Sequence, residues 1–322
     1  MARIICGVDI SAATLDARIG RNGVWQQFAH TPEGIAALAA FCTHHQVDLV
    51  VMEATGGYER QPFAQLWAAG QPAAIVNPRS VRRFAEAVGQ LEKTDRIDCA
   101  MIAWYAEVKA IQPTPLARPT HQRLTALVLR LRQLTDLRTL QLNQRRLVTD
   151  PQVQQTFTTV LAAIAPQIKL LETEIAQLID ADPLWSALNA EFRTIKGVAK
   201  RTVANVMANL PEIGTLTNKG AGKLVGLAPI ARDSGKKSGK RPVRGGRVSV
   251  RSMLYTVVRG VWRYDPDFQA CRAKMIAAGK PAKVIRVALA RKLLVRLNAK
   301  ARDVRKALAA ATPVAQQPLT TA

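Results

Sequence analysis

Arg3-Ile4-Ile5-Cys6-Gly7-Val8-Asp9-Ile10 is an apolar run with a single acid near its end. It reads as a buried β-strand over Ile4–Ile10. A second run, Asp48-Leu49-Val50-Val51-Met52-Glu53, repeats the pattern: a buried strand over Leu49–Met52 with an acid at its tip. Between them, Leu15–Gly20 and Gly23–Phe28 read as two further strands. Thr31 and Pro32 then mark the cap and first position of a helix with Ile35, Leu38 and Phe41 on one face. Beyond Glu53 come a helix near Pro62–Ala69, a short strand at Ala73–Val76, a turn at Asn77-Pro78 with another helix after it, and a helix over Asp95–Val108.

Asp95 and Asp98, three apart in Lys93-Thr94-Asp95-Arg96-Ile97-Asp98-Cys99-Ala100, share a helix face. With Asp9 and Glu53 they make four acids at strand ends and a helix start. Clustered carboxylates are costly unless a cation neutralises them. Magnesium takes carboxylate oxygens and keeps waters. A pair of such ions about 4 Å apart serves attack and departure at a phosphodiester. Each acid also has an ordinary reading. A lone Asp at a strand end caps a turn, and acids suit the first turn of a helix through its dipole. Three early strands followed by alternating helix and strand suit a ribonuclease-H-like α/β layout, which would gather these acids at one sheet edge.

The charge is unevenly spread. Residues 1–112 hold 10 Lys and Arg against 11 Asp and Glu, a net of −1; residues 113–322 hold 36 against 12, a net of +24. A polyanion such as DNA or RNA is the natural partner of the second part. A ribosome or an anionic membrane surface is the blander alternative. Aromatics are 5% of the chain, so base stacking is not the obvious binding mode. The four cysteines, Cys6, Cys42, Cys99 and Cys271, form no CxxC pair and indicate neither zinc nor a disulfide framework. No signal peptide pattern or membrane-length apolar run is present, which predicts a cytoplasmic, nucleoid-associated protein with no membrane partner.

Pro113, Pro115 and Pro119 mark a linker. Leu124, Leu127, Leu131 and Leu134 then keep helical spacing. Asp150-Pro151 breaks the pattern, and Leu161, Ile164, Ile168, Leu171, Ile175 and Leu178 resume it. The segment 113–183 is therefore expected to be a helical hairpin or coiled-coil pair, packed within the chain or joining two copies. Pro166 should kink or interrupt the second helix. Residues 184–310 read as a helical, basic domain, and residues 311–322 as a disordered tail.

Two features of the basic domain bear on phosphate. Phe192-Arg193-Thr194-Ile195-Lys196-Gly197-Val198-Ala199 precedes a helix over Arg201–Leu210 and resembles a helix-hairpin-helix turn. Such a turn offers backbone N–H groups to a phosphate, with Lys196, Lys200 and Arg201 beside it; a plain packing corner is the equal alternative. Farther on, Ala231–Arg251 holds eight Lys or Arg and one acid, ahead of an apolar helix over Val248–Trp262. Arg232, Lys236, Lys237, Lys240, Arg241, Arg244 and Arg247 are the candidate backbone contacts there. A serine among such cations is a possible nucleophile for phosphorus. Composition alone does not choose among Ser234, Ser238, Ser249 and Ser252.

Gly7-Val8-Asp9-Ile10-Ser11, Glu53-Ala54-Thr55-Gly56-Gly57-Tyr58 and Lys93-Thr94-Asp95-Arg96-Ile97-Asp98 occur in that order. They resemble the DEDD transposases of bacterial insertion sequences, the family that includes the pilin-gene invertases and the bridge-RNA-guided recombinases. The segment Gly226–Leu254 resembles the second conserved region of the same family. The resemblance implies a RuvC-like domain over 1–112, with Asp9, Glu53, Asp95 and Asp98 as ligands of magnesium, two ions in number. It implies a serine nucleophile at Ser234, in its acidic-Ser-Gly context, which forms a phosphoserine link to DNA. It further implies double-stranded DNA partners, a structured guide RNA, and dimers that assemble to tetramers. Cys99 stands where a small Ala is expected after the last acid.

Three rivals remain open at this level. One is a RuvC-like structure-specific nuclease that cuts without rejoining. Another is a non-catalytic nucleic-acid-binding protein on the same scaffold. The third is a sugar-kinase-like ATPase, disfavoured by the basic second part and by the Asp95/Asp98 pair.

Overall fold

The computed structural model describes residues 3–92, 94–231, 233–234, 237–239 and 241–311, with backbone only at 237 and 238. The chain divides into two compact units, Met1–Ala117 and Arg118–Ala322.

The first unit runs β1 (Ile5–Ile10), β2 (Thr14–Ile19), β3 (Trp25–Ala29), α1 (Pro32–His44), β4 (Leu49–Glu53), α2 (Arg60–Ala68), β5 (Ala73–Val76), α3 (Pro78–Ala87) and α4 (Asp95–Val108). The sheet order is β3-β2-β1-β4-β5. The pairs β1–β2 and β2–β3 are antiparallel, and β1–β4 and β4–β5 are parallel. Strand alternation sorts the side chains into two layers. Cys6, Val8, Ile10, Val50 and Met52 pack with Ile35, Leu38, Phe63 and Leu66 of α1 and α2. Ile5, Leu49 and Val51 pack on the other face with Val81 of α3 and Met101, Ile102 and Ala106 of α4. Because Asp9 and Glu53 share parity with Ile5 and Val51, both acids belong to the α4 face.

Helix starts follow their caps. The Thr31 hydroxyl accepts from Gly34 N–H and the Asn77 side chain from Arg79 N–H, each with Pro at the start of the helix. Thr94 accepts from Ile97 N–H and fixes where α4 begins, at Asp95.

The second unit is nearly all helical: α5 (Pro119–Arg145), α6 (Pro151–Ala181), α7 (Pro183–Arg193), α8 (Lys200–Asn209), α9 (Asn218–Val225), the two-residue strands β6 (Asp233–Ser234) and β7 (Lys237–Ser238), then α10 (Val248–Tyr264), α11 (Pro266–Ala277) and α12 (Ala282–Ala311). Helices α5 and α6 form a hairpin whose turn is closed by Asp150, which accepts from Gln152 and Val153 N–H. Leu124, Val128, Leu131 and Leu134 meet Ile164, Ile168, Ile175 and Ile179. These join one continuous core with Trp185, Phe192, Val203, Leu254 and Leu293. Between residues 135 and 163 no described side chain is buried, so the distal half of the hairpin carries no core of its own.

One expectation is corrected. Pro166 does not interrupt α6, which is continuous from Pro151 to Ala181. The carbonyl four residues back belongs to exposed Ala162, where water can satisfy it. The basic stretch after Ala231 carries the β6–β7 ribbon, with Asp233 opposite Ser238 and Ser234 opposite Lys237. Helix α12 extends through Ala311, and the rest of the expected tail, 312–322, lies outside the described residues.

Asn298 is the one fully buried polar side chain among the described residues. Its Oδ1 accepts from Gly214 N–H at 2.9 Å. Its Nδ2 donates to the Leu216 carbonyl at 2.9 Å and to Asn218 Oδ1 at 3.1 Å. This ties α12 to the loop that feeds α9.

Candidate functional site

In the first unit one close contact sets α4 against β1. A Cβ on Gly7 would stand 2.0 Å from the Cys99 carbonyl oxygen and 2.7 Å from the Ala103 nitrogen. Only glycine lets α4 lie this close to β1. Asp9 is two residues beyond Gly7 on the same face, and Asp98 immediately precedes Cys99. Val8 pairs with Met52 in parallel register, so Asp9 and Glu53 follow one residue on, at the carboxyl ends of adjacent strands. Adjacent strands are about 4.8 Å apart.

The loop after Glu53 is shaped for this edge. Gly56 and Gly57 both have positive φ, 63° and 109°. Glu59 closes the loop by accepting from Thr55 and Gly57 N–H, each at 2.9 Å. His30 Nδ1 lies 2.8 Å from the Ser11 carbonyl, and its ring packs edge-on against Tyr58 of this loop.

One acid escaped the sequence reading. Asp16 lies directly opposite Asp9 in the β1–β2 register and is 3% exposed. Gln27 Nε2 donates to both of its carboxylate oxygens, at 3.2 and 3.3 Å. The signal was present: Leu15 and Ala17 alternate with Asp16, so a strand with those two residues inward must turn Asp16 to the face of Asp9.

Cys99, the departure from the expected Ala, is buried. Burial pushes its thiol up to about 12; the Arg18 charge opposes this, and Asp16 and Asp9 add to it. The group is a neutral thiol that donates to the Arg96 carbonyl at 3.2 Å. As a small apolar filler it serves as Ala would.

The four candidate residues Asp9, Glu53, Asp95 and Asp98 offer only carboxylate oxygens, the chemistry that suits magnesium. Among the described residues, no three Asp, Glu, His or Cys side chains are gathered closely enough to hold a metal ion. The backbone brings Asp9 and Glu53 to one edge and places Asp95 and Asp98 in the first turn of the helix packed there. Asp9 Oδ1 itself accepts from Ile10 N–H at 3.0 Å.

In the second unit, Ser234 is exposed on the ribbon. Asp233 braces it: its Oδ1 accepts from Gly239 N–H at 3.2 Å, and its Oδ2 accepts from Arg241 at 2.9 Å. The base of the loop is pinched. A Cβ on Gly226 would meet the Gly245 carbonyl oxygen at 2.1 Å, and one on Gly246 would meet Gly226 nitrogen at 2.4 Å. Arg251 donates to the Gly245 carbonyl beside this crossing.

The basic candidates fall into three groups. Lys196, Lys200 and Arg244 are exposed. Arg201, Arg241 and Arg247 are engaged, with Glu172, Asp233 and Glu212 respectively. Arg247 is the most committed: it forks onto both Glu212 oxygens at 2.6 Å and donates to the Asn209 carbonyl at 3.0 Å. Burial alone would raise the Glu212 carboxyl, but the Arg247 hydrogen bonds and charge outweigh it and hold the group below its ordinary value. Arg232, Lys236 and Lys240 lie outside the described residues, as does the Lys237 side chain.

The turn between α7 and α8 packs against α10. Gly197, at φ 95°, faces the backbone of α10, where an added Cβ would meet Val261 nitrogen at 2.7 Å and the Gly260 carbonyl carbon at 2.8 Å. The start of α8 has no side-chain cap and lies beside Lys196, Lys200 and Arg201.

No helix among the described residues is long and apolar enough to cross a membrane.

Known proteins share both segments. Residues 6–150 match a family model, DEDD_Tnp_IS110, described as transposase, and residues 189–272 match a second, described as transposase of the IS116/IS110/IS902 family. The pilin gene-inverting protein of Moraxella lacunata is 27% identical over 316 residues, covering 91% of this chain and 94% of the relative. That of Moraxella bovis matches at the same identity and coverage. Among solved structures, Thermus thermophilus RuvC is similar at 13% identity and a TM-score of 0.25, over 34% of this chain and 99% of that one. With the acid-bearing sheet edge inside the first matched segment and Ser234 inside the second, the chain belongs to the IS116/IS110/IS902 transposase family, enzymes of DNA recombination.

Proposed function

We propose that this transposase cuts and rejoins DNA through two sets of groups: the carboxylates Asp9, Glu53, Asp95 and Asp98 on a RuvC-like sheet, and the Ser234 hydroxyl in the basic unit. One observation carries the reading. A single chain holds an acid-bearing edge of a mixed sheet and an exposed serine on a cationic ribbon, each within a segment that matches transposases. The β3-β2-β1-β4-β5 order, with antiparallel then parallel pairs, supports a ribonuclease-H-like assignment for the first unit.

The covalent step balances without a co-reactant. Ser234 Oγ attacks a DNA phosphorus, and its proton passes to solvent or a base. The bond from phosphorus to one sugar oxygen breaks, and that oxygen takes up a proton. A phosphoserine diester replaces the DNA diester, so the number of phosphodiester bonds is conserved. Attack by a different sugar hydroxyl then releases Ser234 and joins a new pair of ends. Arg241, which pairs with Asp233 at 2.9 Å, and Arg244 would neutralise the charge that develops on phosphorus. Magnesium bound by the four carboxylates would polarise phosphoryl oxygens and favour strand cleavage. Asp16, opposite Asp9 in the strand register, would add a further carboxylate to that edge.

Double-stranded DNA is the substrate, and the +24 charge of residues 113–322 draws its backbone. With the protein engaged mainly on phosphates, sequence choice is left to base pairing with a guide RNA. A dimer, assembling to a tetramer on two DNA sites, is supported by the α5–α6 hairpin. Its distal half exposes Leu137, Leu140 and Leu147, which a second copy would cover.

Asp9→Asn and Glu53→Gln test the carboxylate assignment. Each should lower strand cleavage at least about 100-fold and leave DNA binding within about twofold of the parent. Cleavage retained by both variants would remove the carboxylates from the mechanism and favour a binding protein.

A further inference from the structure

A second basic feature lies away from the serine ribbon, in a concave pocket of about 420 Å³ between α10, α11 and the start of α12. Arg259, Arg272, Lys280, Lys283 and Arg286 line it, and no acid does. Among the described residues none of these five cations has a carboxylate partner. Elsewhere in the same unit Arg247, Arg296 and Lys300 are all paired, with Glu212, Asp265 and Asp267, and Glu191. Five like charges around one cavity repel each other unless an anion enters. The pocket is therefore arranged for phosphate.

It also holds two half-buried aromatic rings. Tyr255, Arg259 and Trp262 follow four-then-three spacing and share one face of α10. The Arg286 guanidinium lies 3.7 Å over the Tyr255 ring, and its Nε donates to the Tyr255 carbonyl at 2.6 Å. Arg272 stands 5.4 Å over the Trp262 ring. Each pair presents a planar, cationic stack, and Ile285 forms a buried floor. Planar rings and guanidinium groups stack on nucleobases. A duplex offers phosphates but keeps its bases inside, and it is too broad to enter a cavity of this size. The volume is in the range of about 300–1,000 Å³ that takes single small ligands.

We propose that this pocket seats an unpaired nucleotide of a single-stranded nucleic-acid segment. The base lies against Trp262 and the Tyr255–Arg286 stack. The flanking phosphates lie on Arg259, Lys280 and Lys283. The site stands on its own geometry and does not depend on the chemistry assigned to Ser234. An unpaired strand of RNA or of DNA carries the required chemistry.

The full-length protein is titrated against fluorescent oligonucleotides of about 12 residues as single-stranded RNA, single-stranded DNA and duplex DNA of one sequence. Trp262→Ala should weaken single-strand binding about fivefold to a hundredfold and leave duplex binding within about twofold. Trp262→Phe should restore most of the affinity. Arg259→Gln with Lys283→Gln, both exposed and safe for folding, should reduce the slope of log affinity against log salt by about 1.4 for single strands. Loss confined to RNA, confined to DNA or shared by both supports the pocket and identifies its source. Unchanged single-strand affinity in the Arg259/Lys283 variant, or equal weakening of single strand and duplex, overturns it.

Discussion

The Cα of Gly7 lies against the Cys99 carbonyl, so close that a Cβ would stand 2.0 Å from the oxygen. This contact presses α4, whose first turn carries Asp95 and Asp98, onto the strand that bears Asp9. A methyl group at Gly7 would meet the Cys99 carbonyl, the Ala103 nitrogen and the Ala103 Cβ, none of which is the free end of a flexible side chain. Gly7→Ala should therefore cost at least about 3 kcal/mol in urea denaturation of the first unit and abolish DNA cleavage, although every acid is retained. Parent-like stability and cleavage would show that α4 need not lie this close.

Asn298 makes three hydrogen bonds from a fully buried position. Asn298→Ala leaves Gly214 N–H and the Leu216 carbonyl without this partner. The second unit should lose about 1–3 kcal/mol, read as a lower denaturation midpoint, while oligomer state and DNA contacts persist. No change in midpoint would mean that water replaces the side chain without cost.

The Glu212–Arg247 fork predicts a pH dependence. The folded state holds the Glu212 carboxyl below its ordinary value of 4.5. A depressed carboxyl contributes stability that is complete above the unfolded value and is lost as pH falls through the lower folded value. Glu212→Gln should therefore flatten the stability-against-pH curve below about 4.5. At neutral pH it should cost about 1 kcal/mol, because the pair is partly exposed to solvent. An unchanged acid limb would show that the fork does not titrate with folding.

Much of this arrangement is legible in the sequence, and the rest fails for physical reasons. The apolar runs ending at Asp9 and Glu53 are strands because both of their faces are covered, so continuous Val, Ile and Leu mark them well. Thr31-Pro32, Asn77-Pro78 and Asp150-Pro151 announce their helices through caps that do form. Asp16 was missed because a lone acid in a strand resembles a solvated residue until its register partner is known. Arg247 reads as one cation of a run, since its partner Glu212 is distant in sequence. That Gly197 lies against the backbone of α10 is set by tertiary packing and is not visible in its own segment. Tyr255, Trp262 and Arg286 form a pocket only through the packing of three helices, and the low aromatic content of the chain gives no hint of it.

The central claim is that Ser234 becomes covalently linked to DNA. The direct measurement is mass spectrometry of peptides from a reaction quenched with denaturant during strand exchange on element-end DNA. The account predicts a nucleotide-bearing phosphate on the peptide containing Ser234, absent in Ser234→Ala and still present in Ser238→Ala. Strand joining by Ser234→Ala at the parent rate, or an adduct on Ser238, Ser249 or Ser252 instead, would contradict it.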